Sequence, residues 1–239
     1  MAESIKVAVR VRPYIHAYEK VAGIKCCVRM VKETQQTIVM NPNKEGQERA
    51  FTFDYSYNSF VPEDSDGHAS QDTVWNDLGV SVLDNAWQGF NVSLFAYGQT
   101  GAGKSHSIMG YPGQEGIVPR ACREIFKRIG EPTQAEKQYK VECSMLEVYN
   151  EKVRDLFNPA PKGNKKKGKF KGLPVREHPK KGPYVQGLTW SAVSTFQAIS
   201  QLMDAGTAAR TVAATAMNNT SSRAHTMFQI KLTQTEVNK

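Results

Sequence analysis

Polar and apolar positions alternate from Lys6 to Val11, basic then aliphatic, and the alternation stops at Pro13. A period of two sends successive side chains to opposite faces, so this stretch predicts a β-strand. Thr37 to Met40 and Arg49 to Tyr55 have the same character and flank the turn-rich run NPNKEGQ, which predicts a small β lobe. The rhythm then changes. From Ser70, a residue suited to an N-cap, to Trp87, the apolar Val74, Leu78, Val82, Leu83 and Ala86 recur at helical spacing and Gly89 follows. Asn91 to Tyr97 is a short apolar run of the kind a buried parallel strand shows. Ile117 to Ile129 predicts a second helix and Tyr139 to Tyr149 a long strand. Thr195 to Val212 predicts a helix with Phe196, Ile199, Leu202 and Met203 on one side, and Met227 to Thr233 alternates again as a strand. Strands alternating with helices predict an α/β fold, with a central, mostly parallel sheet covered by helices on both faces.

Composition narrows the class. A length of 239 residues suits one large domain. With 40% hydrophobic and 23% charged residues, the chain lies far from disordered, collagen-like or disulfide-rich sequences. No apolar run approaches the ~20 residues a bilayer requires. The start, MAESIKVAVRVRP, lacks the apolar stretch and cleavage site of a secretory signal, so a soluble intracellular protein is expected. Cys26, Cys27, Cys122 and Cys143 show no paired metal spacing and read as reduced thiols, which excludes a thiolate metal site. The sequons at Asn91, Asn218 and Asn219 read as accidental in such a chain.

The net charge of +8 invites an acidic partner, and most of it sits in one place. KGNKKKGKFK, from Lys162 to Lys171, holds Lys162, Lys165, Lys166, Lys167, Lys169 and Lys171 and no acid. Without these six lysines, 25 basic residues face 23 acidic ones. Gly163, Gly168, Gly172 and the flanking Pro159, Pro161 and Pro174 predict a surface loop. It reads either as a solvated tract or as an electrostatic docking loop whose binding falls steeply with salt. Single-strand nucleic-acid grooves interleave several aromatics, whereas Phe170 stands alone.

The strongest chemical signal is GQTGAGKS, Gly98 to Ser105, which matches G-x-x-x-x-G-K-[ST] between a predicted strand and a helical stretch. Glycines at 98, 101 and 103 let the backbone fold round an anion with its amides inward, and the following helix N-terminus adds positive dipole. Lys104 is then placed to reach the β- and γ-phosphates, and the Ser105 hydroxyl to ligate magnesium. The loop alone does not choose among transferases, GTPases and mechanoenzymes.

Further residues do. RVRP at Arg10 to Pro13, FAYGQTGAGKS at Phe95 to Ser105, LEVYNEKVRDL at Leu146 to Leu156 and NNTSSRAH at Asn218 to His225 together resemble the motor domain of the kinesins, in order and spacing, over essentially all 239 residues. YSYNSFVPED from Tyr55, VREHPKKGPYVQGL from Val175 and ARTVAAT from Ala209 are most similar to the third kinesin class, the vesicle and organelle transporters. The resemblance implies an ATP-driven microtubule motor that binds ATP or ADP with Mg2+. Its nucleotide residues would be Arg10, Arg12, Pro13, Gly98, Gln99, Thr100, Gly101, Ala102, Gly103, Lys104, Ser105 and His106. Arg10, Arg12 and Pro13 would flank the adenine on one side and His106 on the other. In the first switch, Ser222 would join Ser105 on the magnesium, Ser221 would help hold the attacking water, and Arg223 would pair with an acid of the second switch. The basic loop would face tubulin, with no nucleic-acid or membrane contact by this domain, and the protein would sit on microtubules in the cytoplasm. A non-catalytic kinesin-like module that binds nucleotide or microtubules is the alternative.

Two departures from the family pattern stand out. The serine before the first-switch histidine is Ala224 here, and after the Met227 to Thr233 strand the chain reads QTEVNK with no D-x-x-G. Kinesins continue with that second switch on a central strand. The resemblance therefore implies a chain that by itself hydrolyses ATP negligibly and exposes a sheet edge and apolar surface.

Overall fold

The computed structural model describes residues 5–15, 17–21, 24–44, 46–131, 137–159, 172–180, 182–216 and 224–236. It divides into two units, Met1–Arg120 and Ala121–Lys239.

In the first unit the alternating run near the start forms β1 (Ala8–Val11). An antiparallel sheet follows, made of β2 (Val28–Val31), which the sequence reading missed, β3 (Gln36–Met40) and β4 (Glu48–Thr52). The single strand expected over Arg49 to Tyr55 is broken. β4 ends at Thr52, and β5 (Tyr55–Asn58) leaves that sheet to run parallel to β1, Ala8 against Tyr55. Asp54 makes the corner: its carboxylate accepts from the Val7 amide at 2.7 Å while its own amide donates to the Val7 carbonyl.

The helix expected from Ser70 to Trp87 forms as α1 (Gln71–Val74), a wider π turn over Trp75–Gly79, and α2 (Val80–Trp87). Ser70 is its N-cap, exchanging bonds with Thr73 in a capping box. Gly79 is needed here because a Cβ at that position would run into the Trp75 ring. Tyr57, Ala69, Val74 and Ile117 form the core of this unit, with Leu94 and Leu78 packed against it. Each such burial is worth about 1.5–3 kcal/mol for a large aliphatic side chain.

Asn91 to Tyr97 does not form the buried parallel strand that was expected. No regular structure is present there, and among the described residues none of its backbone groups joins a backbone hydrogen bond. Leu94 reaches the core, but Phe95 is 82% exposed and Tyr97 fully so. The run is apolar enough for a sheet interior, yet a strand exists only with a hydrogen-bonded neighbour. The chain then forms α3 (Lys104–Ile108), a small hairpin of β6 (Gly110–Tyr111) and β7 (Gln114–Glu115), and α4 (Ile117–Gly130).

The second unit is built on β8 (Lys137–Tyr149). β9 (Lys152–Asp155) folds back on it through Asn150 and Glu151, both at positive φ, as a two-residue hairpin turn requires. β10 (Val175–His178) and β11 (Gly182–Val185) form a separate exposed hairpin, and β12 (Ser191–Val193) pairs with β8. α5 (Phe196–Ala216) extends beyond the expected Val212 and packs on β8, where Gly206 leaves room for Met145. β13 (His225–Glu236) runs antiparallel to β8 from His225 against Val148 to Glu236 against Lys137. Across β8 and β9, the buried Glu147 carboxylate accepts from Arg154 at 3.0 Å.

The fold class is α/β as expected, with mixed pairing. Among the described strands only β1 with β5 is parallel, because β2 to β4, β8 with β9, and β10 with β11 are joined as hairpins.

Cys122 and Cys143 are fully buried thiols. Burial, with a smaller contribution from Cys143, pushes the Cys122 thiol up to about 12, and burial pushes Cys143 up to about 11, from an ordinary value near 9. On unfolding they would ionise at the lower value. Their contribution to stability is therefore whole below about pH 9 and is lost as pH rises towards 11 and 12. Urea midpoints are expected to decline above pH 9, and the double substitution Cys122→Ala, Cys143→Ala is expected to flatten that decline. Identical pH slopes in the two proteins would contradict this account.

Candidate functional site

The GQTGAGKS loop of the first unit has the backbone its glycines promise. Gly98, Gly101 and Gly103 stand at φ of 150°, 80° and 91°, the last two in the left-handed region that side chains avoid. A Cβ on Gly98 would also press on that of Ala102 at 3.0 Å. The loop closes through the Ala102 amide, which donates to the Gln99 carbonyl at 3.1 Å, and Gly103 leads directly into α3. The Lys104 ammonium lies across the loop, donating to the carbonyls of Gly98 and Gln99 at 2.7 and 2.8 Å. Thr100, Gly101 and Ser105 are exposed. The fit to a polyphosphate is therefore physical: a backbone ring, one cation over it, and a free hydroxyl beside the cation on α3.

The RVRP stretch divides its labour. The Arg12 guanidinium forms an ion pair with Glu19, its Nη1 3.0 Å from Oε2, and its Nε donates to the Gly101 carbonyl at 2.6 Å. The hydrogen bond to Glu19 holds the Arg12 proton more firmly than usual. Pro13 is exposed beside it, and its carbonyl accepts from Arg12 Nη1. Arg10 points inward instead. Its Nε donates to Ser59 Oγ at 2.9 Å, and its Nη1 to Gln71 Oε1 at 2.7 Å and Ser107 Oγ at 3.1 Å. Beyond the loop, His106 Nε2 lies 3.2 Å from Gln114 Oε1, and its ring packs against Tyr111 with centroids 5.6 Å apart. Glu19, Gln71, Ser107 and Gln114 were not singled out in the sequence, which carries no motif for them. Ser221, Ser222 and Arg223 of the first switch, and the six lysines from Lys162 to Lys171, lie outside the described residues.

A glycine ring with a lysine across it, opening directly into a helix, defines a phosphate-binding P-loop protein of the nucleotide-binding α/β class. The chain belongs to the kinesin motor domain family, whose model matches residues 10–239. It is 49% identical to human kinesin-like protein KIF1C over 97% of this chain and 20% of that protein. It is 47% identical to kinesin-related protein 1 of Dictyostelium discoideum over 99% of this chain and 11% of that protein. The chain thus spans a fifth or less of the length of these curated relatives. Its fold is similar to that of KIF14 with ADP in complex with a microtubule, with a TM-score of 0.83 at 40% identity, covering 99% of this chain and 63% of that one. The expectation of a kinesin motor fold is met, and KIF1 and KIF13 proteins stand among the relatives.

Proposed function

We propose that this chain is the nucleotide-binding portion of an ATP-driven microtubule motor. Support comes chiefly from the Gly98, Gly101 and Gly103 ring with Lys104 across it, in a chain whose structural neighbours include KIF14 bound to AMP-PNP and a microtubule. Lys104 binds the β- and γ-phosphates, and Arg12, Pro13 and His106 border the base. Mg2+, held by Ser105 and Ser222, would neutralise charge on those phosphates. Ser221 and Arg223 take the water-positioning and switch roles that the family resemblance assigns them, so that γ-phosphate sensing alters filament affinity. The lysines from Lys162 to Lys171 attract the acidic face of tubulin, which places the protein on microtubules in the cytoplasm.

Cosedimentation with microtubules tests this reading. The chain is expected to pellet with microtubules more tightly with AMP-PNP than with ADP. Its affinity should fall about tenfold between low and physiological salt as screening shortens the reach of the lysines. Replacing the six lysines with alanine should weaken binding and remove most of that salt dependence. Binding that ignores both nucleotide and salt would overturn it.

A further inference from the structure

α3 is a single turn of five residues, too short to hold its shape by its own backbone bonds. It carries Lys104 and Ser105, so something else must fix it. Two polar side chains from other elements do so, the half-buried Arg10 and the buried Gln71. Arg10, on β1, reaches Ser107 near the end of the turn at 3.1 Å and is itself fixed by Ser59. Gln71, buried at the start of α1, accepts from Arg10 with its oxygen. With its nitrogen it donates to the His106 carbonyl at 2.7 Å and the Gln114 carbonyl at 3.2 Å. Gln71 therefore satisfies a carbonyl that the short turn leaves without a helical partner. The forks of both arginines are taken up by protein acceptors, but Arg10 turns to Ser59, Gln71 and Ser107 beneath α3, whereas Arg12 stays on the loop itself, paired with Glu19 and the Gly101 carbonyl.

Building on the nucleotide-binding reading above, we infer that Arg10 and Gln71 are positioning residues. They set the place of Lys104 and Ser105 for any nucleotide, whatever its base. A contact to the base would discriminate between bases; a brace under the phosphate loop cannot.

The test titrates the chain with the fluorescent N-methylanthraniloyl forms of ADP and GDP in the presence of Mg2+. The midpoint gives affinity and the amplitude gives the folded fraction. Arg10→Lys, which keeps the charge but loses the fork, and Gln71→Leu are each expected to weaken both nucleotides by the same factor, about tenfold. The double variant should lose less than the product of the single losses, since the two side chains form one bridge. Should either fail to fold, Ser107→Ala removes only one link and is expected to cost about threefold on both nucleotides. Loss confined to ADP would make Arg10 a base contact and overturn the inference. So would unchanged midpoints with a lowered melting temperature, which would leave only a structural role. A wild-type chain that takes up neither nucleotide would overturn the nucleotide-binding reading itself, and the inference with it.

Discussion

Lys104→Ala is expected to raise the dissociation constant for Mg·ADP by about a hundredfold or more. The ammonium already sits across the loop, 2.7 Å from the Gly98 carbonyl and 2.8 Å from that of Gln99. Binding exchanges these two neutral acceptors for charged phosphate oxygens without any search for geometry. Charge-assisted bonds of this kind contribute about 1.5–3 kcal/mol each. Losing two corresponds to roughly 3–6 kcal/mol, and every 1.4 kcal/mol is about tenfold in affinity. Alanine suits the helical turn, and the glycine conformations do not depend on the lysine, so the fold should persist. Titration with a fluorescent ADP measures the loss, and circular dichroism checks the fold. Lys127→Ala, on the exposed side of α4 with a weak ion pair to Glu124, should bind as the unaltered chain does. A Lys104→Ala protein within threefold of that value would show that the cation is not what holds the phosphates.

The loop was legible in the sequence because its requirement is local. Positive φ at fixed positions demands glycine, and the lysine must follow at one spacing, so eight consecutive residues carry the whole geometry. Ser70 was legible for the same reason: an N-cap acts within its own turn. The bracing beneath the loop was not legible. Arg10 meets Gln71 across 61 positions and Ser107 across 97, and no periodicity encodes such encounters. Arg10 within RVRP reads, by the family resemblance, as a flank of the adenine, and nothing near it in the sequence names its acceptors. The β10 and β11 hairpin escaped for another reason. Val175–His178 is exposed along its whole length, so neither face buries an apolar row and the two-residue rhythm that marks strands is missing. Asn91 to Tyr97 fails in the opposite sense. Its apolar composition announces a buried strand, but composition records suitability for an interior and not the presence of a neighbour to pair with.

Asp155→Ala is expected to destabilise the second unit by about 3 kcal/mol, a large share of a typical 5–15 kcal/mol. Asp155 ends β9 and is buried. One oxygen accepts from the amides of Phe157 and Asn158 at 2.9 and 3.2 Å, and the other from the amide of Thr189 at 2.8 Å. A single carboxylate thus ties the exit of β9 to the approach of β12. Removing it leaves three amide donors without their anion, and each buried donor left unpaired costs about 1–3 kcal/mol, less where water can enter. Asparagine restores one acceptor but turns an NH2 towards a donor, so Asp155→Asn should fall between alanine and the unaltered chain. Thermal unfolding followed by circular dichroism should show a drop of about 10 °C for alanine. Glu236→Ala, which loses only an exposed pair with Lys137 at 3.9 Å, should move by about a degree or two. The same knot lies at the roots of the lysine-rich segment. Asn158 lies just before the lysine-rich segment, and Leu173 just after it donates to the Val153 carbonyl at 2.8 Å. Both roots of that segment are therefore fastened to β9, and loosening Asp155 frees one of them. If the lysines act as a docking surface, Asp155→Asn should weaken microtubule binding at temperatures where the fold is still intact. A variant that melts like the unaltered chain would show that water replaces the carboxylate at no cost.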